Sequence, residues 1–551
     1  MKATDVMVRC LENEGVQYIF GIPGEENIDL VHSLASSNQI QFISARHEQG
    51  AAFMADVYGR LTGKAGVCLA TLGPGATNLI TGIGDVNLDH APVVAITGQA
   101  SMERMHKESH QYIDLVSMFQ HVTKWSVEVK RAETLPEIVR KAFKLAEMEK
   151  PGAVLIELPE DLASEEIELQ SLPKTPLPKS IPSTHEMEHA LKRIHQSQKP
   201  LIIAGNGVIR QLASEELRKF AEALDIPVTH TFMAKGVLPP DHVLNLYTMG
   251  LQAKDYVLCG VHEADLIITV GYDFVEYLPM YWNDEQIKPI IHIDTQPAEV
   301  DLHYPTEVEL VGDIKETLKY LTSHLKGAKT WRPKNDLVQK LKQEIQDARV
   351  EATSISNPEH AAIKPQIILS QLQKIIPENT IVVSDVGAHK IWIARHFHPT
   401  YPNRVIISNG FASMGIAIPG AIGAKLACPN DPVISITGDG GFLMNAAEIE
   451  TAKRLGLSFV ILVLNDRKYS LIDWKLRNRF NASYGVDFNN PDFVRLAESF
   501  GISGLRVNSQ QELEPTLQHA LQLNEMVLVE IFVDPEENLK LTQQLGKLVC
   551  R

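Results

Sequence analysis

Residues 433–466 read VISITGDGGFLMNAAEIETAKRLGLSFVILVLND, and this stretch decides the fold class. Two runs rich in β-branched residues flank a helical segment, and each run ends in glycine or polar residues. This alternation predicts a strand, a crossover helix and a second, parallel strand. The predicted elements are a strand at Val433–Thr437, a Gly-rich turn at 438–441, a helix at Phe442–Leu455 and a strand at Phe459–Leu464.

Two acidic residues, Asp439 and Asp466, follow the two predicted strands. The carboxyl ends of parallel strands meet at one edge of a sheet, where open α/β sheets bind ligands. Gly438, Gly440 and Gly441 would let the backbone approach a phosphate at the start of the helix. Because a carboxylate repels phosphate unless a cation lies between them, the pattern predicts Mg²⁺. The alternative is a structural turn with a solvated Asp439.

The same alternation runs through all 551 residues, a length typical of three or four domains. Two breaks interrupt it. Residues 172–182 are punctuated by proline, and residues 331–365 form a polar helical segment followed by turn formers. We therefore expect three α/β domains with doubly wound parallel sheets, at residues 1–170, 185–330 and 365–551.

Composition argues against several classes of function. Lys and Arg total 52 against 68 Asp and Glu, a net charge of −16, and no stretch forms the basic stripe that nucleic-acid binding needs. The apolar runs are far shorter than the ~20 residues that span a bilayer. The N-terminus lacks the apolar segment of a secretory signal, which predicts a cytoplasmic protein. Cysteines without CxxC spacing argue against a thiolate metal site.

Short sequence patterns recur in different parts of the chain. Pro92–Gly98 (PVVAITG) and Pro432–Gly438 (PVISITG) share a pattern that suggests a duplication of the first and third domains, with chance similarity as the alternative. In the central domain, residues 202–207 (IIAGNG) and 268–272 (ITVGY) are strand-to-glycine turns of the kind found in dinucleotide folds. A single GxG turn is weak evidence for a bound dinucleotide.

With Asp466 placed 27 residues after Asp439, the opening segment resembles the diphosphate and metal motif of the thiamine diphosphate (ThDP) enzymes. Those enzymes usually end the motif in Asn-Asn, whereas this chain has Asn465-Asp466, an acidic variant that acetolactate synthases also use. The resemblance implies that Mg²⁺ is bound by the side chains of Asp439 and Asp466 and by the backbone carbonyl of Lys468. Relatives commonly have Gly at the last position. The backbone of Lys468 must therefore direct its carbonyl at the metal without the conformational freedom of glycine.

Residues 46–60, RHEQGAAFMADVYGR, follow a predicted strand at Ile40–Ser44 and resemble the family's glutamate segment. The resemblance implies that Glu48 protonates N1′ of the cofactor's aminopyrimidine, which then removes the proton from C2 of the thiazolium. A buried glutamate suits this proton transfer. Without the resemblance, a glutamate favoured by the helix macrodipole at a helix start would be the simpler interpretation.

Two further segments resemble cofactor-binding segments of the family. Residues 408–425 imply that Met414 is the apolar wedge that bends ThDP and that the Ala412 carbonyl accepts a hydrogen bond from the 4′-amino group. Residues 385–395 imply diphosphate contacts, although Ala388 stands where many relatives have a polar residue. The candidate contacts to the cofactor are Gly387, His389, Ala412, Met414, Gly438, Gly440, Gly441 and Tyr469.

A substrate region is also implied by resemblance. Residues 110–114, HQYID, resemble the acetolactate synthase segment whose glutamine faces the reacting carbonyl, so Gln111 is a candidate to orient a 2-oxo acid and stabilise an oxyanion. His110, Trp474 and Lys475 are possible substrate contacts. His106 and His110 also have the helical spacing of a zinc pair, but no third ligand is placed. FAD is not expected, because the central domain has no FAD-specific residues.

The resemblance covers essentially the whole chain and implies acetolactate synthesis, in which two pyruvate molecules give 2-acetolactate and CO₂. The chain is also similar to bacterial 2-oxoglutarate decarboxylases, which would release succinic semialdehyde instead. A third possibility is a non-catalytic ThDP-binding subunit, against which the intact Glu48, Asp439 and Asp466 argue. The resemblance further implies a homodimer or homotetramer in which Glu48 of one subunit meets the metal site of its partner.

Overall fold

The computed structural model describes residues 1–168, 172–251, 256–284, 287–325 and 362–540, with five further residues between 343 and 351. These residues form three six-stranded sheets, and every strand pair whose register is known is parallel. Helices connect the strands throughout. The prediction of three parallel α/β sheets is therefore confirmed.

The first sheet has the strand order β2-β1-β3-β4-β6-β5. Its inner strands β3, β4 and β6 consist entirely of buried residues, as expected where helices cover both faces of a parallel sheet. The strands are β1 Tyr18–Gly21, β2 Gln41–Ser44, β3 Gly66–Ala70, β4 Val93–Gln99, β5 Trp125–Glu128 and β6 Ala153–Pro159; the helices are α1 Ala3–Glu14, α2 Ile28–Leu34, α3 Glu48–Thr62, α4 Pro74–Leu88, α5 Leu115–Phe119, α6 Leu135–Glu147 and α7 Glu160–Ser164.

The second sheet has the order β9-β8-β7-β10-β11-β12. Numbered within the sheet, this is 3-2-1-4-5-6, the order of dinucleotide-binding folds. The strands are β7 Pro200–Ala204, β8 Val228–His230, β9 Asn245–Thr248, β10 Leu266–Val270, β11 Ile290–Asp294 and β12 Thr306–Val311; the helices are α8 Thr184–Gln196, α9 Asn206–Arg210, α10 Ser214–Leu224, α11 Tyr256–Glu263 and α12 Ile314–His324.

The third sheet has the order β14-β13-β15-β16-β18-β17. The strands are β13 Ile381–Ser384, β14 Val405–Ile407, β15 Val433–Gly438, β16 Val460–Asn465, β17 Ser503–Val507 and β18 Val527–Phe532. The helices are α13 Pro365–Ile375, α14 Ala388–His396, α15 Ala417–Ala427, α16 Asp439–Asn445, α17 Glu448–Arg454, α18 Ser470–Phe480, α19 Phe493–Ser499 and α20 Gln510–Gln522.

The helix predicted at Phe442–Leu455 is wrong in one respect, because the structure divides it into α16 and α17. Asn445, the last residue of α16, donates its side-chain amide to the Gly415 carbonyl at 2.9 Å. Asparagine is a poor helix former, and here its amide serves a contact outside the helix. The break makes Glu448 the first residue of a new helix.

The first and third sheets have the same strand order, which agrees with a duplication. The sequence similarity that suggested it does not pair equivalent strands, however. Pro92–Gly98 leads into β4, the fourth strand of its sheet in chain order, whereas Pro432–Gly438 contains β15, the third strand of its sheet. The short match therefore reflects the common composition of buried parallel strands.

The chain divides into two compact units. The first comprises residues 1–178, 410–435 and 441–459, and the second comprises 179–409, 436–440 and 460–551. Residues 172–182 have no helix or strand, and most of the break predicted at 331–365 lies outside the described residues. The three domain boundaries stay predictions. In the part of the chain that the structure describes, no helix is long and apolar enough to cross a bilayer.

Helices α3 and α15 pack closely within the first unit. A Cβ atom at Gly423 of α15 would lie 2.4 Å from the Met54 carbonyl oxygen of α3. We predict that Gly423→Ala lowers the free energy of unfolding by about 3 kcal/mol, because the obstructing atoms belong to backbone. Gly456→Ala is the comparison: φ is +66° there and the new Cβ meets nothing within 4 Å, so the expected cost is about 1 kcal/mol. Equal shifts in the two thermal midpoints would contradict this packing.

Candidate active site

Asp439 is a fixed carboxylate at the carboxyl end of β15. It is buried, and its oxygens accept hydrogen bonds from the Gly440 N–H at 2.9 Å, the Arg467 N–H at 2.7 Å and the Asn490 amide at 2.7 Å. Burial raises the pKa of this carboxyl above its ordinary value. Three donors hold one orientation of the side chain, which suits a metal ligand.

Asp466 follows β16 in the same unit as Asp439. Burial and the charge of Asp439 raise the pKa of Asp466 to about 7. Two carboxylates so coupled oppose each other's ionisation unless a cation is shared between them. The Ser470 hydroxyl donates to Asp466 and orients it.

The loop after β16 shows how the chain does without glycine at position 468. Its left-handed residue is Arg467, with φ +59°, so Lys468 does not carry the backbone strain. The Lys468 ammonium lies 3.0 Å from Asp487 and 3.6 Å from Asp473, which directs the side chain to these carboxylates. Its backbone carbonyl is the group that the sequence resemblance assigns to the metal.

A magnesium ion fits this donor set. Within the described residues, no group of three or more His, Cys, Asp or Glu side chains is arranged to hold a metal. Magnesium does not need one, because it is usually bound by one or two carboxylates together with ligand phosphates and water. The placement of Asp439 and Asp466 at the ends of neighbouring strands favours a cation here, and the raised pKa of Asp466 agrees with it.

The residues expected at the diphosphate come together around His389. A Cβ at Gly387 would lie 2.9 Å from the His389 ring, and one at Gly438 would lie 3.4 Å from it. His389 is 8% exposed, and its Nε2 has no hydrogen-bond partner in the described part of the chain. A buried imidazole nitrogen with no protein partner, beside two glycines, is a polar group that a bound ligand would satisfy.

Tyr469 lies against the same glycine-rich turn. A Cβ at Gly440 would lie 2.8 Å from the Tyr469 ring, which also packs on Phe488 with ring centroids 4.9 Å apart. Tyr469 therefore requires glycine at position 440. Gly441 falls in the other compact unit, where it belongs to α16.

Glu48 is the first residue of α3 and is 8% exposed. Its Oε2 accepts a hydrogen bond from the Asn78 amide at 3.0 Å. A Cβ at Gly75 would lie 3.3 Å from Glu48 Oε1, so the start of α4 faces this carboxylate. The local sequence therefore buries the predicted glutamate and gives it one neutral donor.

Gln111 lies close to the same turn before α4. Its backbone is left-handed, with φ +59°, and a Cβ at Gly73 would lie 2.8 Å from the Gln111 carbonyl oxygen. Gly73 also has a positive φ, so a side chain there is disfavoured twice. Gln111 and His110 are both exposed, and the segment from His106 to His110 forms turns rather than a helix. The helical spacing behind the zinc alternative is therefore absent.

Ala412 and Met414 belong to the first unit. Ala412 has φ +57°, an uncommon conformation for alanine that fixes the direction of its carbonyl. Met414 is half-buried, as an apolar contact to a ligand would be. Two residues before Ala412, the Gly410 N–H donates to Asp89 at 2.6 Å.

The substrate candidates on α18 differ in their surroundings. Trp474 is buried and its Nε1 has no partner among the described residues, whereas Lys475 is exposed. Arg477, a cation close to them in sequence, is paired with Asp473 at 3.0 Å and Glu536 at 2.8 Å. Lys475 is therefore the more available cation of the two.

Sequence reasoning did not single out several side chains that hold the site. They share a role as hydrogen-bond partners of candidate residues or of the backbone beside them, and they are Asn78, Asp89, Glu448, Ser470 and Asn490. None carries a spacing signal, because each contacts a segment distant in sequence or lies one helical turn away.

Comparison with protein families matches all three parts of the chain. Residues 1–118 match the thiamine pyrophosphate enzyme N-terminal TPP binding domain, residues 187–321 the central domain and residues 385–531 the C-terminal TPP binding domain. The chain belongs to the thiamine pyrophosphate enzyme family. Thiamine pyrophosphate is another name for ThDP. The matches to the N-terminal and C-terminal TPP binding domains therefore support this cofactor.

Relatives match along the whole chain. An acetolactate synthase of Bacillus subtilis (strain 168) is 35% identical, with 100% of this chain and 97% of the relative aligned. A catabolic acetolactate synthase of Raoultella terrigena is also 35% identical, with 98% and 96% aligned. An acetolactate synthase large subunit of Buchnera aphidicola subsp. Schizaphis graminum (strain Sg) is 34% identical, with 98% and 96% aligned. The predicted resemblance is confirmed.

The buried His389 gives this ThDP enzyme a pH-dependent stability. Burial lowers its pKa from 6.5 to about 4. Between these values the unfolded chain binds a proton that the folded chain excludes, so the stability present above pH 6.5 falls as the pH falls to 4. We predict that His389→Gln removes up to about 3 kcal/mol of this loss, measured by urea denaturation of the cofactor-free protein at pH 7 and pH 4.5.

The exposed His185 provides the matched control. His185→Gln makes the same substitution at a position on the surface of α8, away from the buried site. The assignment is wrong if His389→Gln behaves like this control.

Proposed function

We propose that the protein is an acetolactate synthase that uses ThDP and Mg²⁺ to decarboxylate pyruvate and join the resulting two-carbon unit to a second pyruvate. The observation that carries the proposal is the end-to-end similarity to acetolactate synthases. The intact Glu48, Asp439 and Asp466 support it, because a subunit that had lost catalysis would be expected to have lost one of them.

When bound, the cofactor would supply a carbon nucleophile and an electron sink for decarboxylation. In our proposal Asp439, Asp466 and the Lys468 carbonyl hold Mg²⁺, and Gly387, Gly438, Gly440, Gly441 and His389 receive the diphosphate, with Tyr469 beside it. The Ala412 carbonyl would accept a hydrogen bond from the 4′-amino group, and Met414 would be the apolar wedge against the cofactor.

Glu48 holds the proton at N1′ of the aminopyrimidine, and Asn78 orients its carboxylate. Gln111 donates to the 2-oxo acid and stabilises negative charge on the reacting oxygen. His110, Trp474 and Lys475 are proposed to contact the remainder of the substrate. We also propose a homodimer or homotetramer in which Glu48 of each subunit serves the metal site of the other.

A 2-oxoglutarate decarboxylase is the second candidate. The observation that favours it is the exposed ammonium of Lys475, which can pair with a distal carboxylate, on the helix that also carries the buried Trp474. Pyruvate has no distal carboxylate and gains nothing from such a cation.

The two candidates are separated by ¹H NMR of the purified protein with ThDP and Mg²⁺, incubated in parallel with pyruvate and with 2-oxoglutarate. We expect 2-acetolactate from pyruvate. Succinic semialdehyde from 2-oxoglutarate, with pyruvate untouched, would replace the synthase with the decarboxylase. Absence of turnover on both would leave neither assignment standing.

Removing the donor to Glu48 should slow turnover without preventing cofactor binding. We predict that Asn78→Ala lowers kcat up to about tenfold, since an intramolecular hydrogen bond contributes about 0.5–1.5 kcal/mol. Glu48→Gln should bind ThDP but lose turnover. Thr77→Ala, which removes a hydroxyl that donates to the Pro74 carbonyl at the start of the same helix, is the control and should retain kcat. Unchanged turnover in Glu48→Gln would refute the role of Glu48.

The central sheet gives a physical reason to propose that FAD is not used. A Cβ at Gly205 would lie 2.3 Å from the Gly271 carbonyl oxygen and one at Gly207 would lie 2.6 Å from Gly271 Cα, so close packing of two turns explains these glycines. The Glu276 carboxylate accepts from the Asn206 N–H at 3.0 Å and the Met233 N–H at 3.1 Å. It therefore occupies donors that a dinucleotide phosphate would use.

We predict no flavin absorbance after the protein is incubated with FAD and desalted. Glu276→Gln keeps an acceptor at this turn but removes the charge that repels phosphate, so it should bind FAD more tightly than the parent, as measured by flavin fluorescence. Stoichiometric FAD in the unmodified protein would contradict the proposal.

A further inference from the structure

We propose that Glu448 is a positioning residue for Glu48: its carboxylate fixes the backbone that leads into α3 and so sets the location of the proton-donating glutamate. The inference rests on the proposed function only for the consequence to catalysis. The structural part concerns contacts within the first compact unit.

The two oxygens of the Glu448 carboxylate accept hydrogen bonds from different segments of the chain. Oε1 accepts from the backbone N–H groups of Arg46 at 2.9 Å and His47 at 3.0 Å. Oε2 accepts from the Thr451 hydroxyl at 2.7 Å, one turn along α17. One oxygen therefore binds the segment before α3, while the other holds the side chain to its own helix.

This arrangement is tightly enclosed. Glu448 is 0% exposed, and a Cβ at Gly50 would lie 2.6 Å from its Oε1. Glycine at position 50 therefore leaves the space that the carboxylate occupies beside the first turn of α3. Loss of the carboxylate would remove the acceptor that these two backbone N–H groups share, together with the contact that anchors them to α17.

Glu448 contacts the residues that determine where Glu48 lies. The two bonded N–H groups belong to the two residues immediately before Glu48, and His47 is also the N-cap of α3, whose side chain accepts from the Gln49 N–H. Glu48 itself meets Asn78 at 3.0 Å. Catalytic groups must be held within about 0.5 Å of the productive position, and a shift of the helix start moves the carboxylate directly.

A second contact supports the same interface. The Arg454 guanidinium, at the end of α17, donates to the Ser44 carbonyl at the end of β2. Helix α17 thus binds the β2–α3 connection near both ends of that connection. The sequence links this helix to the metal motif, because Glu448 lies nine residues after Asp439.

Three variants separate positioning from other roles. Glu448→Ala removes both acceptors, Glu448→Gln keeps an oxygen that can accept from residues 46 and 47, and Thr451→Val removes only the hydroxyl contact. We expect Glu448→Ala to lower kcat at least tenfold, with KM for the 2-oxo acid changed less than threefold. Glu448→Gln should recover most of the activity, and Thr451→Val should stay within about threefold of the parent.

Two readouts do not depend on turnover. Amide hydrogen exchange of the cofactor-free protein, followed by mass spectrometry on peptides covering residues 44–52, should be at least tenfold faster in Glu448→Ala and near the parent rate in the other two variants. Exchange of the C2 proton of bound ThDP, followed by NMR without substrate, should slow in Glu448→Ala alone.

The proposal is overturned if Glu448→Ala leaves amide exchange and C2 exchange unchanged, or if Glu448→Gln is as impaired as Glu448→Ala. If Glu448→Ala does not fold, the Gln and Val variants still decide, because a severe loss in Glu448→Gln contradicts positioning by hydrogen-bond acceptance. Failure of the proposed function has a different signature: Glu48→Gln would remain active while the faster amide exchange in Glu448→Ala persisted.

Discussion

Two carboxylates at the ends of neighbouring strands, the buried Asp439 and the half-buried Asp466, are the constraint on which the rest of the site depends. Asp439 and Asp466 oppose each other's ionisation, and Asp466 has a pKa raised to about 7 in the absence of a cation. Such a pair costs stability unless a positive charge is shared. The donors around Asp439 and the hydroxyl of Ser470 hold the two carboxylates in place and stabilise their ionised forms in part, yet the pKa values of both carboxyls stay raised.

Carboxylates have a second use in the first compact unit, where they hold backbone segments that carry candidate residues. Glu448 accepts from the residues before Glu48, and Asp89 accepts from Gly410, just before Ala412. Asp89 is in turn paired with the buried Arg60 at 3.0 Å. Each contact joins an N-terminal segment to one that follows residue 409, so both halves of the sequence determine where the candidate residues lie.

The sequence predicted much of this because local patterns encode it. Alternating strands and helices predicted the parallel sheets, and Asp439 and Asp466 were expected at strand ends because parallel strands share an edge. The break between α16 and α17 was missed, since it depends on the contact between Asn445 and Gly415. Asn78, Asn490 and Glu448 were missed for the same reason: tertiary contacts between distant segments leave no periodic signal.

The repeat shows that a short sequence match can mislead, whereas the glycine turns of the central domain agree with the fold. The match between Pro92–Gly98 and Pro432–Gly438 suggested a duplication, yet the shared strand order is the sounder support for it. The turns around Gly205 and Gly271 were expected of a dinucleotide fold, and the strand order of the central sheet agrees with it, while Gly205 and Gly207 also pack closely against Gly271. Small residues are required equally by a ligand and by a neighbouring backbone.

The most direct test of the account is the dependence of ThDP binding on a divalent cation, measured by isothermal titration calorimetry of the cofactor-free protein with Mg²⁺ and with EDTA. The account predicts binding with Mg²⁺, at least a hundredfold weaker binding with EDTA, and a similar loss in Asp466→Leu. Asp466→Asn keeps an oxygen ligand and should retain most of the affinity. Equal ThDP affinity with Mg²⁺ and with EDTA would contradict the central claim that Asp439 and Asp466 are brought together to share a cation.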